Sequence, residues 1–295
     1  MIKTSVVIPA YNEEAAIEEV INDMKKAMDQ TEGGYEIIIV DDNSKDKTAE
    51  IVSKMEGIRL IRHKRNRGVG AARKTGILHS KGEYVLMTDG DGTYPTENIP
   101  ELISHLPEYD MAVGARIEEK GTMKILRSFA KGILLKLACI ISETNIPDLN
   151  SGLRVFKKKA ALKFFGILPD GHSWVTTITL AFLSNRYSVK YVPIRYFTRK
   201  GKSTFHPIKD TYNYFLTINR VVMYFRPLKF FVPLTFLILF SGSIRFLYHA
   251  LALHNVRESD IMIILTGIMV GSVGVLADLV LKLQRINFVK MDIED

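Results

Sequence analysis

The chain has 295 residues, of which 24% are charged and 47% hydrophobic, and this size suits one catalytic domain with a small addition. Its single cysteine, Cys139, excludes an internal disulfide and a multi-cysteine metal site. The formal charge of +8 favours a phosphate-bearing ligand, nucleic acid or an anionic membrane surface, without choosing among them.

The first ninety residues alternate between short apolar runs and segments with helical spacing. Short strands that are buried on both faces and joined by helices indicate a parallel sheet. The first apolar run is too short for a signal peptide and is typical of a strand. We predict strands at 4–8, 35–40, 58–61 and 84–88, and helices at 13–28, 46–55 and 68–79.

Two acidic clusters follow predicted strands directly. Asp41 and Asp42 end the second strand, and Asp89 and Asp91 follow the fourth. In parallel α/β sheets, ligands bind beyond the carboxyl ends of the strands. The two clusters are therefore predicted to face one crevice.

The stretch Asp89-Gly90-Asp91 places two carboxylates one residue apart. Hard cations such as Mg²⁺ prefer carboxylates together with substrate phosphates. A polar turn after a strand would have the same composition, but the position at the carboxyl end of a central strand favours a metal site.

The glycines of 66–73 do not form a dinucleotide fingerprint, because Arg73 stands where the third glycine belongs.

The second half of the chain carries membrane signals. Two segments, 123–142 and 207–231, mix apolar residues with lysine and arginine and are typical of amphipathic helices on a membrane surface, or of ordinary surface helices. Pro227–Leu253 and Ile261–Leu283 each approach the length that spans a bilayer, and a buried hairpin in a soluble domain is the alternative.

Charges in and around this hairpin predict its arrangement. Arg245 and Asp278 lie late in their segments, so antiparallel helices would keep them apart. Lysines and arginines flank both outer ends, whereas the connecting loop has only Arg257. The positive-inside rule then predicts a cytoplasmic catalytic domain and cytoplasmic termini.

Taken together, the motifs resemble the family 2 glycosyltransferases of the GT-A fold. They are Val7-Ile8-Pro9-Ala10-Tyr11-Asn12-Glu13-Glu14, Val40-Asp41-Asp42-Asn43-Ser44 with Asp46 and Thr48, Asn66-x-Gly68 through Gly76, and Asp89-x-Asp91. Later motifs resemble the dolichyl-phosphate mannose synthase branch of polyprenyl-phosphate glycosyltransferases. They are Val113-Gly114-Ala115-Arg116, Asp148-Leu149-Asn150-Ser151-Gly152-Leu153-Arg154 and Arg199-Lys200-Gly201-Lys202-Ser203.

The resemblance implies a role for each matching position. The nucleotide would be held by Pro9, Tyr11, Asn12, Glu13, Asp41, Asp42 and Asp89. Mg²⁺ or Mn²⁺ would be held by Asp89 and Asp91, and catalysis would depend on Asp89, Asp91, Arg116 and Arg199. The acceptor phosphate would be held by Arg116, Arg127, Arg199 and Lys202, and the sugar pocket would be formed by Asn150, Ser151 and Gly152.

The implied reaction is an inverting transfer of a hexose from a GDP- or UDP-sugar to a polyprenyl phosphate, without nucleic acid as a partner. Thr93 stands where the mannose synthases have glutamine, and Thr204 where they tend to have lysine, so the donor sugar and base stay open.

A processive polysaccharide synthase would carry Q-x-x-R-W, but the only tryptophan, Trp174, follows His172-Ser173. A different lipid or glycan acceptor, an inactive family member and a basic membrane-associated binding module remain alternatives.

The predicted fold class is α/β. A Rossmann-like GT-A catalytic domain would be followed by interfacial amphipathic helices and a transmembrane hairpin. The predicted boundaries are 1–206 for the catalytic domain, 207–229 for a juxtamembrane helix, 230–283 for the hairpin and 284–295 for a cytoplasmic tail.

Overall fold

The computed structural model describes residues 2–117, 144–197 and 226–294, with isolated positions between them (135, 136, 139, 216, 223 and 224). Side chains are described as far as residue 283. The chain divides into two compact units, Met1–Tyr214 and Phe215–Asp295. The domain boundary predicted at residue 206 lies outside the described residues and stays a prediction.

The first unit is built on a seven-stranded sheet with strand order β3-β2-β1-β4-β6-β5-β7. Strand β6 pairs antiparallel with β4 and β5, whereas the other described pairings are parallel. The strands are β1 (Ile2–Ala10), β2 (Gly34–Asp41), β3 (Ile58–Arg62), β4 (Tyr84–Met87), β5 (Met111–Arg116), β6 (Arg154–Lys157) and β7 (Val189–Ile194).

Helices cover both faces of this sheet. Successive side chains of a strand point to opposite faces, so apolar strands contribute to a core on each side. Val6 and Ile8 of β1 belong to one core, together with Ile17 and Met24 of the first helix, and Val7 belongs to the other. The helices are α1 (Ile17–Met28), α2 (Thr48–Ser53), α3 (Val69–His79), α4 (Ile99–Ser104), α5 (Lys158–Lys163) and α6 (Trp174–Ser184), with a 3₁₀ turn at Phe165–Ile167.

The predicted α/β class and the four N-terminal strands are confirmed. The parallel sheet predicted for these strands is confirmed as well, with β1 paired to both β2 and β4. The reversed strand β6 was not predicted. Its reversal sets Arg154 level with Met87, so β6 starts at the carboxyl edge of β4, beside Asp89.

The second unit is a helical hairpin. Helices α7 (Pro227–Leu251) and α8 (Glu258–Glu294) include two stretches, of 25 and 26 residues, that are long and apolar enough to cross a membrane. Both stretches are largely exposed within the unit, which distinguishes them from core helices of a soluble domain. The helices pack closely because α8 presents glycines to α7, where added Cβ atoms would meet Leu239, Thr235 and Phe231; these glycines are Gly267, Gly271 and Gly274.

A polar cluster joins the two helices at the loop end of the hairpin. Asp260 is fully buried, and its carboxylate lies 3.3 Å from Arg245 Nε and 2.5 Å from His249 Nδ1. Asp278 instead pairs with Lys282 on its own helix, so the prediction that Arg245 and Asp278 stay apart is confirmed. Asp260 thus offsets the charge of Arg245 near the carboxyl end of α7.

Candidate active site

The loops after β1 and β2 are joined to each other by hydrogen bonds. Asn12 adopts a left-handed backbone conformation (φ +57°), and its N–H donates to Ser44 Oγ at 3.0 Å. Its side-chain oxygen accepts from Lys45 N–H at 2.8 Å, and Glu13 N–H donates to Thr48 Oγ1 at 2.8 Å. Because these contacts satisfy the loop backbones, both loops are held in place before any ligand binds. The predicted nucleotide residues Pro9, Tyr11, Asn12 and Glu13 lie on or beside this joined edge.

Asp41 and Asp42 also lie at the carboxyl end of β2, where they were predicted. Asp41 is fully buried, accepts a hydrogen bond from Ser44 N–H at 3.0 Å and lies 3.0 Å from Arg62 Nε. The structure therefore places Asp41 inside the chain's own hydrogen-bond network. Its predicted contact with a nucleoside stays a prediction.

Asp42 organises the start of helix α3. Its two carboxylate oxygens accept from Arg67 N–H at 2.9 Å and Gly68 N–H at 2.8 Å, and His63 Nδ1 lies 2.7 Å away. Gly68 has a φ of +94°, and a Cβ there would lie 2.6 Å from the carbonyl oxygen of Asp170. The glycine at this strand-to-helix entry is thus required by both conformation and space.

Asp89 and Asp91 follow β4 and lie at the same edge of the sheet. Asp89 Oδ1 accepts a hydrogen bond from Arg73 Nη2 at 2.7 Å, and Arg73 is almost fully buried beneath it. Asp91 Oδ1 accepts from Thr93 N–H at 3.2 Å and from Thr93 Oγ1 at 2.7 Å. Thr93, the residue that departs from the mannose synthase pattern, therefore orients one of the two predicted metal ligands.

The chemistry of these donors fits a hard divalent cation. Within the described ranges, no group of three or more Asp, Glu, His or Cys side chains is placed to enclose a metal. Two carboxylates on either side of Gly90 would leave the remaining coordination positions to water and substrate oxygens. This is how Mg²⁺ is commonly held in sites that act on phosphates.

The turn before β6 lies directly against Asp89. Gly152 N–H donates to Tyr94 Oη at 2.6 Å, and a Cβ at position 152 would lie 2.5 Å from Asp89 Oδ2. Burial, followed by the charge of Asp89, raises the pKa of Tyr94, so its hydroxyl stays protonated at neutral pH. Position 152 therefore has no room for a side chain while Asp89 keeps its place.

The other two residues of the predicted sugar pocket are fixed to the domain. Asn150 Oδ1 accepts from Thr176 Oγ1 of helix α6 at 2.6 Å, and Ser151 is fully buried. The structure brings both residues to the edge that carries Asp89. Their contact with a sugar stays a prediction.

Arg116 ends β5 at this edge and is held by a carboxylate. Its Nε donates to Asp148 Oδ2 at 2.6 Å, and its Nη2 donates to Asp148 Oδ1 at 2.9 Å. The guanidinium also lies over the ring of Tyr196, 5.2 Å from the centroid. Burial alone would raise the pKa of Asp148, but the hydrogen bonds and charge of Arg116 outweigh it and hold this pKa below its ordinary value.

Replacing Asp148 by asparagine should therefore destabilise the catalytic domain. Leaving Arg116 buried without its carboxylate is expected to cost about 3 kcal/mol of unfolding free energy at pH 7. Because the folded-state pKa of Asp148 is lowered, its contribution is present above the unfolded pKa and is lost as the pH falls. The difference from wild type should shrink below about pH 4. Thermal unfolding in detergent, followed from pH 7 down to about pH 2, measures this change.

The matched control is Asp23→Asn, because Asp23 forms an exposed ion pair with Lys26. Exposed pairs contribute less than about 1 kcal/mol, so this variant should unfold close to wild type at every pH. A deficit in Asp148→Asn that stays constant down to about pH 2 would contradict the assigned role of the pair.

Sequence patterns did not identify Arg73, Tyr94 or Asp148 as site residues. Arg73 was noticed only as a misfit to a dinucleotide motif, and Asp148 only as part of a longer motif. An arginine within a helix, or a tyrosine or aspartate near a turn, is too common to indicate a functional site by itself. The predicted phosphate-binding residues Arg127, Arg199 and Lys202 lie outside the described residues.

Comparison with known proteins places this arrangement in a family. The family described as glycosyl transferase family 2 matches residues 5–163, and the one described as the GtrB C-terminal hairpin matches residues 226–283. The first match includes the sheet edge that carries Asp89, and the second includes α7 and most of α8.

Two relatives and one solved structure illustrate the similarity. A dolichyl-phosphate beta-glucosyltransferase of Dictyostelium discoideum is 30% identical over 206 residues, with 63% of each chain covered. Glycosyltransferase AglJ of Haloferax volcanii is 27% identical over 292 residues, covering 95% of this chain and 94% of AglJ. Glucosyl-3-phosphoglycerate synthase from Mycobacterium tuberculosis, solved with Mn²⁺, UDP-glucose and phosphoglyceric acid, is 18% identical and superposes with a TM-score of 0.58 over 74% of this chain and 79% of that chain.

Proposed function

The chain belongs to the family 2 glycosyltransferases, and on this premise we propose that it transfers a hexose from a nucleotide-sugar to a polyprenyl phosphate. The observation that carries the proposal is the occurrence of both matched parts in one chain: a crevice with Asp89 and Asp91 at its edge, and a hairpin of apolar helices. The name of the Dictyostelium relative supports a dolichyl-type acceptor and a glucosyl group.

The acceptor is ready to react without a base. A phosphate monoester has a second pKa near 6, as phosphorylated side chains do, so it is largely dianionic at pH 7. One of its oxygens forms a bond to the anomeric carbon while the bond from that carbon to the donor diphosphate breaks. The nucleoside diphosphate leaves with the electron pair, and a single displacement of this kind inverts the anomeric centre.

The protein's task is then to bring two anions together and to stabilise the charge that develops on the leaving group. Asp89 and Asp91 would hold a divalent cation, which when bound neutralises charge on the leaving diphosphate. Arg73 fixes the carboxylate of Asp89, and the glycine at position 152 lets the neighbouring turn pack against that carboxylate. Preorganised charges of this kind, together with positioning, supply the rate enhancement.

The hairpin supports a location at the membrane. We propose that α7 and α8 cross the bilayer, with the catalytic unit on the cytoplasmic side. Basic residues flank both outer ends, among them Arg226, Lys229, Lys282 and Arg285, whereas Arg257 is the single lysine or arginine of the loop between the helices. Such an asymmetry favours a cytoplasmic position for the flanking segments.

A transfer assay in detergent tests the proposed reaction. The purified full chain is mixed with a short polyprenyl phosphate, MnCl₂ and labelled UDP-glucose, UDP-N-acetylglucosamine or GDP-mannose. We expect label from one donor to pass into the lipid phase, with UDP-glucose the first candidate. Transfer from no donor, although the nucleotides bind, would contradict the proposed acceptor.

A further inference from the structure

A second buried arginine lies behind the Arg73–Asp89 pair. Arg154 is the first residue of β6, fully buried, and its backbone is level with Met87, two residues before Asp89. Its Nη1 donates to the carbonyl of Val175 at 3.1 Å and to Thr179 Oγ1 at 2.9 Å, and its Nη2 donates to the carbonyl of Ser151. The side chain thus ties helix α6 to the turn that faces Asp89.

The charge of Arg154 has no carboxylate in hydrogen-bond contact among the described residues. All three of its acceptors are neutral, namely two carbonyls and one hydroxyl. Burial, followed by the neighbouring charge of Arg73, lowers the pKa of Arg154 to about 10, so the guanidinium remains protonated at pH 7. A buried charge without a carboxylate in hydrogen-bond contact is costly, and strongly perturbed groups of this kind cluster at functional sites.

The surroundings of Arg154 connect it to Asp89 through a second arginine. Arg73 lies between helix α6 and Asp89, with its guanidinium 5.6 Å from the centre of the Trp174 ring and its Nη2 on Asp89 Oδ1. Asp89 is the carboxylate in contact with Arg73, and it is partly exposed to the crevice. Two buried guanidinium groups therefore stand behind the partly exposed carboxylate of Asp89.

We propose that Arg154 is a positioning residue whose buried charge, which has no carboxylate in hydrogen-bond contact among the described residues, favours binding of the donor diphosphate at Asp89. This inference rests on the proposed function, because that function supplies the diphosphate. The charge acts through the protein interior, where it is not screened by salt as a surface lysine would be. Its effect should therefore appear in nucleotide affinity and should persist at high ionic strength.

The test is calorimetric titration of the full chain in detergent with UDP and with GDP, each with MnCl₂, at 50 mM and 500 mM NaCl. Arg154→Met removes the charge but keeps an unbranched stem, and Arg154→Lys keeps the charge. We expect Arg154→Met to weaken binding of the preferred nucleotide about tenfold at both salt concentrations, as one interior charge at roughly 10 Å would. Arg154→Lys should stay within about threefold of wild type.

Lys157→Met is the matched control, since it removes one positive charge from the same strand. Lys157 pairs with Asp110 at the far end of β6, level with Tyr84, and should leave nucleotide affinity unchanged. Equal affinities of the Met and Lys variants of Arg154 would overturn the inference and assign a purely structural role. If Arg154→Met fails to fold, a loss of about tenfold or more in folded Arg154→Lys would overturn it instead. Wild type that binds neither nucleotide would overturn the proposed function as well.

Discussion

Replacing Asp91 by asparagine is expected to lower the rate of hexosyl transfer by about a thousandfold or more. The substitution removes one of two negative charges available to a divalent cation at this edge. It should leave the local loop intact, because an asparagine oxygen can still accept from Thr93 N–H and Thr93 Oγ1, as Asp91 Oδ1 does. The loss should therefore appear in the rate and in metal-dependent nucleotide binding, with little change in the unfolding temperature.

The rate is measured as label passing to polyprenyl phosphate under saturating MnCl₂. Asp29→Asn is the matched control. Asp29 is exposed and accepts a hydrogen bond from the hydroxyl of Tyr35, which lies at the amino end of β2, away from the site. It should transfer at the wild-type rate. Activity of Asp91→Asn within tenfold of wild type would rule out the assigned role of this carboxylate.

Adding one methyl group at position 152 is expected to lower transfer by about a hundredfold, because displacing a catalytic group by about 1 Å can cost that much. In Gly152→Ala the new Cβ would lie 2.5 Å from Asp89 Oδ2 and 3.0 Å from Tyr94 Cε2. The first distance is shorter than real contacts of a Cβ atom and the second is tighter than most, so the Asp89 carboxylate or the turn must move. Either movement changes the position of Asp89 or of the turn that lies against it.

Gly166→Ala serves as the control for the glycine substitution. A Cβ at position 166 meets no atom within 4 Å, so this variant should keep wild-type activity and stability. Transfer rates of both variants are compared under the conditions used for Asp91→Asn. A Gly152→Ala enzyme as active as Gly166→Ala would show that the close approach to Asp89 is unimportant for catalysis.

Sequence patterns predicted the elements of the fold that depend on local regularity. Strands β1 to β4 were predicted because each is a short, largely apolar run that ends at a polar cluster, although the edge strand β3 is only partly buried. The hairpin was found because length and composition alone define an apolar helix. Strand β6 was not predicted, since only its two middle residues are apolar and both ends are charged, so that pairing with β4 and β5 makes Arg154–Lys157 a strand.

The candidate site was predictable only where position along a strand determines place in the fold. Asp89 and Asp91 follow a central strand, and so they had to lie at the carboxyl edge. Their surroundings come from distant parts of the chain: Arg73 lies 16 residues before Asp89, and Gly152 reaches Tyr94 across 58 residues. The bidentate pair of Arg116 with Asp148 spans 32 residues, and no local pattern encodes such a contact.

The acceptor phosphate is the central claim, and a matched pair of lipids tests it most directly. Labelled donor is offered to the wild-type chain with a polyprenyl phosphate and, separately, with the polyprenol of the same length. If the phosphate oxygen is the nucleophile, label should enter only the phosphate-bearing lipid, since an alcohol is not ionised at pH 7 and would need a base. Equal transfer to the free polyprenol would contradict the account, because the phosphate would then be no part of the reaction.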